Sequence, residues 1–415
     1  MTAIKTCGAD CLNYGTTVTS TTYTPTTGST GMIRFNMADF DGTVAVYLEF
    51  NETISYSGVL DAYADGFCRL YDFTNSASVT GSEVEFSSSG RKRSGNISSY
   101  FSGKGDVSIY LQIKAGNGFT TVVVYGWRIV VIQSGTISKI CHYVSLAGND
   151  AVTGTTYAEE ARPKKYAYDG TLFDGTKVVI FAATLVGDGT STMYAELYDK
   201  TANAAIGSTE VSTASATEVF LESGNIAGSL TNGNELTTYV KRANGSQGII
   251  RNAFLIIEQT GINNGTGKFQ SVMQITNNYR TSTSTTYDIG LINNYYDPSD
   301  WTSATIDFKG EYIIKRTAFS GTPNGRAHLT DDTVEIDSSE VITTNTSYER
   351  KTSGSLTPPS AASLINDGIK IVGTGTSPTV YITSARVLLT ITALGYVPAG
   401  GVVQGYMQTG KYWGT

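Results

Sequence analysis

Charge and histidine are what this chain has least of. Asp, Glu, Lys and Arg make up 16% of its 415 residues, and His142 and His328 are its two histidines. The low charge leaves little of the Glu, Lys, Ala and Leu mixture from which long helices are built, so helix is expected to be scarce, with one short turn near Tyr157 to Lys165. Neither histidine lies near a Ser or Cys in a recognised nucleophile motif, which leaves triad chemistry without support. Long apolar runs are missing too. The stretch Val122 to Ile132 is too short to cross a bilayer and is interrupted by Arg128. The start, Met1-Thr2-Ala3-Ile4-Lys5, lacks the charged, apolar and small-residue order of a secretion signal. Acids outnumber bases, 36 to 29, and the net charge of −7 argues against wholesale nucleic-acid binding.

Cysteine is sparse and confined to the first third, at Cys7, Cys11, Cys68 and Cys141. Zinc needs four converging ligands, and a C-x3-C with two distant singles matches the usual paired spacing poorly. Reduced, buried thiols are expected, with a disulfide between the N-terminal segment and the first third as the alternative; the pairing stays open. Gly187-Asp188-Gly189 lacks the Lys-Ser/Thr of a phosphate loop and reads as a turn. The acid pairs Asp39 and Asp41, Asp297 and Asp300, and Asp331 and Asp332 have the composition of calcium or glycosidase sites. In a turn-rich β chain, however, Asp mostly hydrogen-bonds its own backbone. Arg91-Lys92-Arg93 reads as a solvated loop, and the five Asn-x-Ser/Thr sequons are what chance gives in a chain this rich in Ser and Thr.

What the chain does have is an internal repeat. Leu70-Tyr71-Asp72-Phe73-Thr74, Leu197-Tyr198-Asp199-Lys200-Thr201 and Leu329-Thr330-Asp331-Asp332-Thr333 share one pattern. Each is followed by Ser/Thr-Glu-Val at Ser82, Thr209 or Ser339. Each copy also has an upstream Thr-Thr-Tyr ending at Tyr23, Tyr157 or Tyr287, and a later Ser-Gly at Gly90, Gly224 or Gly354. A last apolar run closes on Gly135, Gly261 or Gly395. A period of roughly 130 residues is too long for a solenoid or propeller, so each copy is expected to be a complete unit with its own core.

Val44 to Phe50, Lys177 to Leu185 and Glu311 to Phe319 occupy matching places as buried strands, the first two after an Asp-Gly-Thr turn at Asp41 or Asp174. Val107, Ile109, Leu111 and Ile113 alternate with polar residues, the period of a strand with one wet face. About eight short strands per copy predict an all-β chain of three tandem antiparallel β-sandwich, jelly-roll-like domains. The expected divisions are an N-terminal segment 1–20, repeats at 21–135, 155–261 and 285–395, linkers at 136–154 and 262–284, and a C-terminal tail 396–415.

The phrase Tyr194-Ala195-Glu196-Leu197-Tyr198-Asp199 through Ile206 to Val211, then Ser223-Gly224 and Ala253 to Glu258, resembles jelly-roll modules of tail-associated phage virion proteins and bacterial extracellular surface proteins. The resemblance covers most of the second copy and weakens in the others. It implies the fold and brings no sugar-binding residue with it.

The expectation is a non-enzymatic structural subunit of a multimeric assembly: a phage virion fibre, tail or decoration protein, or an extracellular filament subunit. The alternative is a glycan-binding adhesin or receptor-binding protein. No catalytic residue, cofactor or metal is assigned. Partners are further copies of the chain or other virion or surface proteins, with a cell-surface glycan under the alternative. No nucleic acid and no membrane span are expected, and the location is a virion or an extracellular surface filament. Asp72, Asp199 and Asp331 are expected to hold turns. The tails are apolar, so Ile4, Leu12, Tyr14, Val402, Val403, Tyr406, Met407, Tyr412 and Trp413 are the expected assembly interface. Aromatic clusters also occur at Tyr295, Tyr296 and Trp301.

Overall fold

The computed structural model describes residues 3–11, 16–25, 33–56, 65–88, 90–118, 120–134, 137–244, 248–261, 268–276, 279–296, 298, 305–318, 323–331, 334–373, 378–392 and 407–409. They form an almost wholly β structure of six sheets. Alternation explains the strands: Gly66–Asp72 and Met193–Asp199 bury every second residue against the opposite sheet. Among the described residues no helix is long and apolar enough to cross a membrane.

Each third of the chain contributes two sheets with one shared topology. In the first third, Ala3–Cys11, Thr120–Ser134, Thr43–Tyr56 and Gly90–Arg93 lie side by side. The facing sheet runs Thr24–Pro25, Val107–Ala115, Gly66–Asp72 and Ala77–Ser78. The second third repeats this order with Lys139–Ala147, Gly248–Thr260, Thr176–Val186 and Val219–Asn225, opposite Ala158–Glu159, Glu235–Arg242, Met193–Asp199 and Ala204–Ala205. The third does so with Phe269–Thr276, Val380–Thr392, Thr305–Arg316 and Glu349–Thr352, opposite Asp288–Tyr296, Ser363–Val372, Asn324–Asp331 and Val334–Glu335. Strands thus occupy parts of 1–20, 136–154 and 262–284, the stretches that composition marks as connections. Met407–Thr409 pairs in parallel with Ala9–Cys11, so a strand from the end of the chain lies in a sheet of the first third.

The repeated motifs have structural causes. The hydroxyl of each Ser/Thr-Glu-Val accepts the amide of the repeat leucine: Leu70 N to Ser82 Oγ at 2.9 Å, Leu197 N to Thr209 Oγ1 at 3.1 Å, Leu329 N to Ser339 Oγ at 3.0 Å. Just before each hydroxyl residue the chain takes left-handed backbone, at Gly81 (φ 81°), Ser208 (φ 63°) and Ser338 (φ 64°). All three hydroxyl residues are fully buried, so each fills a gap in the ladder that water cannot reach. The Ser-Gly signal acts similarly, Ser223 Oγ accepting Phe181 N at 3.0 Å and Ser353 Oγ accepting Gly310 N at 2.9 Å. In the first copy this role falls to Ser94-Gly95, with Leu48 N bound at 2.9 Å, and not to the Ser-Gly ending at Gly90. The spacing from the Ser/Thr-Glu-Val hydroxyl to this serine is 12 residues in the first copy and 14 in the others, which hides the equivalence in the sequence.

The connections between repeats are tied down. Gln133 Nε2 donates to the carbonyls of Asp41 and Lys139, both at 3.0 Å, and the Asp41 carboxylate accepts Ser138 N and Lys139 N. One repeat later Gln259 Nε2 donates to the carbonyls of Asp174 and Lys268, and the Asp174 carboxylate accepts Lys268 N at 2.6 Å. The Asp-Gly-Thr signal is therefore both a turn and an anchor for the next repeat. The turn needs its glycine, because a Cβ on Gly175 (φ 73°) would meet the Thr260 carbonyl oxygen at 2.2 Å.

Candidate functional site: the seams between repeats

Among the described residues, several buried charged and polar groups lie between repeats. Counting along the long central ladder of each repeat from Thr43–Ser134, Thr176–Thr260 and Thr305–Thr392, the same place holds Glu49 opposite Arg128, Ala182 opposite Phe254, and Glu311 opposite Arg386. Each pair points away from the facing sheet of its own third of the chain and meets a neighbouring third.

Arg386 sits on the second repeat. Its guanidinium is paired with Glu311 and donates to the carbonyls of Ser145 and Lys165. Around it, Thr383 Oγ1 donates to Pro163 O at 2.7 Å, Tyr166 hydroxyl to Gln270 Oε1 at 2.8 Å, and Lys165 Nζ to Tyr348 O at 3.0 Å. Phe254 and Ala182, with Ile256, Cys141 and Tyr143, instead join the hydrophobic cluster of the first repeat. That seam is mainly apolar, rimmed by Tyr143 hydroxyl to Asp39 at 3.3 Å and Arg34 to Glu222 at 3.5 Å. Arg128, finally, is paired with Glu49 and donates to Asn294 Oδ1 of the third repeat, while Asn294 Nδ2 donates to Gln274 O at 2.9 Å. The first repeat meets the third, the third the second, and the second the first: the seams close a ring.

Electrostatics separates the three. Glu49 is buried with Arg128 and is also bound by Arg91 at 2.5 Å and Arg93 at 2.7 Å. Burial alone would raise its carboxyl, but the three guanidinium groups outweigh that and hold it below the usual range. The Arg-Lys-Arg run is thus partly a counter-charge cluster. Glu311 likewise takes Arg350 at 2.5 Å.

At the first seam Asp39, Cys141 and Glu258 bring ligand atoms within 4.8 Å of one another. Burial pushes both the Asp39 carboxyl and the Cys141 thiol up. Arg34 lies 2.6 Å from Asp39 and Lys139 3.9 Å from Glu258, so the chain's own cations already occupy the charge position that a metal would take. Cys68 and Cys141 are both buried, and Cys141 is a free thiol.

A second constellation recurs on the outer sheet faces. The tyrosine of each Thr-Thr-Tyr donates to the glutamate of Ser/Thr-Glu-Val: Tyr23 to Glu83 and Tyr157 to Glu210, both at 2.5 Å, and Tyr287 to Glu340. A lysine ammonium lies over each ring, Lys114 at 4.5 Å, Lys241 at 4.1 Å and Lys370 at 3.8 Å from the centroid. Burial, and then the hydrogen bond to glutamate, raise all three phenols. These are clasps that tie the entry of each repeat across its outer sheet.

Of the residues singled out in the sequence, Asp72 accepts Asn75 N at 2.9 Å and Asp199 accepts Ala202 N at 2.8 Å, with Asn234 Nδ2 at 2.6 Å from its other oxygen. Asp331 ends the Asn324–Asp331 strand. Ile4 lies opposite Gln133 in the first sheet, and Met407 opposite Ala9. Leu12, Tyr14, Val402, Val403, Tyr406, Tyr412 and Trp413 lie outside the described residues, as do Asp297, Asp300, Asp332 and Trp301. Tyr296 is buried and packs edge-on to Phe308. A shallow cleft of about 430 Å³ at one end of the second repeat is lined by Tyr168, Asp174, Lys177 and Asn232. Its polar groups are engaged, with Lys177 Nζ donating to Phe173 O and Asn232 accepting Gly170 N.

The sheets define a class: an almost wholly antiparallel β protein of β-sandwich, jelly-roll-like character. No protein-family model matches the chain, and no curated protein matches it. Among solved structures it is similar to the N-terminal CBM22-1-CBM22-2 tandem domain of Paenibacillus barcinonensis Xyn10C, at 8% identity over 60% of this chain and 96% of that one, with a TM-score of 0.18. It is similar to the infectious bursal disease virus VP2 subviral particle at 10% identity over 64% and 75%, TM-score 0.24. A third likeness is to the triple jelly-roll fold of an archaeal virus turret, at 11% identity over 97% and 92%, TM-score 0.18. These weak likenesses agree with the jelly-roll resemblance of the sequence and carry no argument about what this chain binds or does.

Proposed function

We propose that the chain is a non-enzymatic structural subunit of a multimeric assembly, of the virion fibre, tail or decoration kind or of an extracellular filament, built from three jelly-roll sandwiches at 21–135, 155–261 and 285–395 with further strands from the flanking segments. The observation that carries this is the use of the buried polar groups: Glu49, Arg128, Glu311 and Arg386 are spent on joining repeats, which yields one rigid block from three sandwiches. A ring of locked sandwiches suits bearing load and repeating contacts. The terminal segments, with Ile4, Leu12, Tyr14, Val402, Val403, Tyr406, Met407, Tyr412 and Trp413, remain the favoured contact between subunits.

A glycan-binding role needs free aromatic faces on an open sheet. On the outer face of the second repeat, Lys241 lies over both Tyr157 and Tyr194, and Tyr198 and Tyr239 stack on each other at 3.8 Å. Those rings already cover one another, which favours the structural reading. The test is light scattering of the full chain over a range of concentrations, with electron microscopy of the product. Concentration-dependent growth into particles or filaments is expected; a monomer at every concentration that binds a glycan array overturns the reading.

A further inference from the structure

Lysine and tyrosine meet repeatedly in this chain, and a carboxylate completes the group. In the three clasps a glutamate accepts the phenol beneath the lysine. At Tyr100 and Lys104, Asp72 accepts the phenol at 3.0 Å and lies 4.0 Å from the ammonium. One group, at the rim of the second-to-third seam, lacks its acid. Lys315 lies opposite Tyr381, and Tyr348 precedes the Glu349–Thr352 strand, which pairs on the other side of Thr305–Arg316. The Lys315 ammonium stands 4.3 Å from the ring centroid of Tyr348 and 5.1 Å from that of Tyr381. Tyr279, 37% exposed, packs on Tyr381 at 5.8 Å, and Arg162 reaches across from the second repeat to lie 4.6 Å over its ring. Among the described residues no carboxylate pairs with Lys315 or accepts the hydroxyl of Tyr279, Tyr348 or Tyr381.

The second repeat shows the same place closed. Leu185 matches Ile314 along the central ladder, with Val219 opposite the one and Glu349 opposite the other, so Glu218 stands where Tyr348 stands. Glu218 is bound by Arg251 at 2.7 Å. In the third repeat the polar tips converge without an acid: beyond burial, Tyr279, Arg162 and Tyr381 all act on the Tyr348 phenol. Burial also lowers the Lys315 ammonium, with nothing to offset it. Donors gathered without an acceptor hold an oxyanion through charge-assisted hydrogen bonds. We propose that this cluster binds a carboxylate from outside the chain, Lys315 and Arg162 supplying charge and the three phenols hydrogen bonds. The carboxylate comes from a small acid in solution or from an acidic side chain of a second copy. The site does not depend on the structural-subunit reading.

The test is calorimetry and saturation-transfer NMR of the full chain with glucuronate, acetate and, as the uncharged control, glucose. Saturable binding of both acids and none of glucose is expected. Lys315→Ala should bind about tenfold more weakly, the worth of one hydrogen bond to a charged group. Tyr348→Glu, which restores the acid of the second repeat, should abolish binding without lowering Tm. Circular dichroism checks folding, and Lys315→Gln, which keeps the stem over the rings, replaces Lys315→Ala if that variant unfolds. Acid binding lost in the variants while light scattering grows as in the parent assigns a free ligand. Growth lost in both variants, and suppressed in the parent by acetate, assigns a second copy. Equal acid binding by the parent and Tyr348→Glu, or no acid binding together with unchanged growth in the variants, overturns the site. A parent that binds the acids and never grows keeps the site and overturns the subunit reading.

Discussion

Replacing Thr209 by Val tests whether the repeated hydroxyl is a structural bridge. Thr209 is fully buried; its Oγ1 donates to Ile206 O at 2.7 Å and accepts Leu197 N at 3.1 Å. Valine keeps the β-branched shape and removes both bonds, stranding an amide and a carbonyl away from water. A buried backbone group left unpaired costs about 1–3 kcal/mol, so a loss of about 2 kcal/mol is expected. Thr209→Ser keeps the hydroxyl and gives up a methyl, a cost of about 0.8 kcal/mol. With a urea dependence of about 2 kcal/mol per molar, the valine variant should unfold about 1 M earlier than the parent and the serine variant less than half as far. Urea titrations followed by tryptophan fluorescence and by far-ultraviolet circular dichroism give both midpoints. A valine midpoint equal to the parent's refutes the bridge, because exchange of the hydroxyl for a methyl is the one change that separates them. The reasoning extends to Ser82→Ala and Ser339→Ala, whose hydroxyls hold Leu70 N and Leu329 N in the same way.

Asp199→Ala should cost about 1 kcal/mol by releasing Ala202 N and Asn234, measured by the same titration. Phe254→Ala should cost about 3–5 kcal/mol and loosen the first-to-second seam, read as faster hydrogen exchange in Ile33–Phe35 and Lys139–Ala147; a change confined to the second repeat would contradict the seam. His142 is buried between Phe173 and Phe269, and burial holds its pKa at about 4, below the usual 6.5 of an imidazole. The folded form then binds fewer protons than the unfolded chain between these values. Its contribution to stability is therefore present above about 6.5 and lost as pH falls to about 4, by up to about 3 kcal/mol. In His142→Gln the stability difference between pH 7 and pH 5 should shrink, and an unchanged difference would assign the acid sensitivity elsewhere.

The repeat unit was legible because its motifs are local. Leucine and aspartate recur at a fixed offset where one strand turns into the next, the hydroxyl follows the leucine by 12, 12 and 10 residues, and the hydrogen bonds they make are short in sequence. The clasps were half legible: both Thr-Thr-Tyr and Ser/Thr-Glu-Val repeat, but about 60 residues of chain separate Tyr23 from Glu83 and nothing local links them. The strand Lys139–Ala147 was missed because it follows a Gly/Ser/Thr-rich stretch and its buried residues run continuously, without the alternation of a one-sided strand. The seams were least legible. Arg128, Phe254 and Arg386 occupy one structural position with two opposed chemistries, so no pattern of residue type marks it, and Arg128 read simply as an interruption in an apolar run.

That change of chemistry at one position has a consequence for how the chain is made. Tandem copies of one fold are prone to docking on the wrong neighbour while the chain is incomplete. Here the second repeat is synthesised directly after the first, so the apolar Phe254 patch has its cover on the first repeat already made. The first repeat's other face must wait for the third repeat to be synthesised, and there a cluster of arginines around a carboxylate lies beside the apolar Val130, so an apolar patch such as Phe254 matches only part of it. The order of the ring is thereby written into which surfaces can stand exposure and for how long, and the same fold used three times in one chain avoids pairing with itself out of turn.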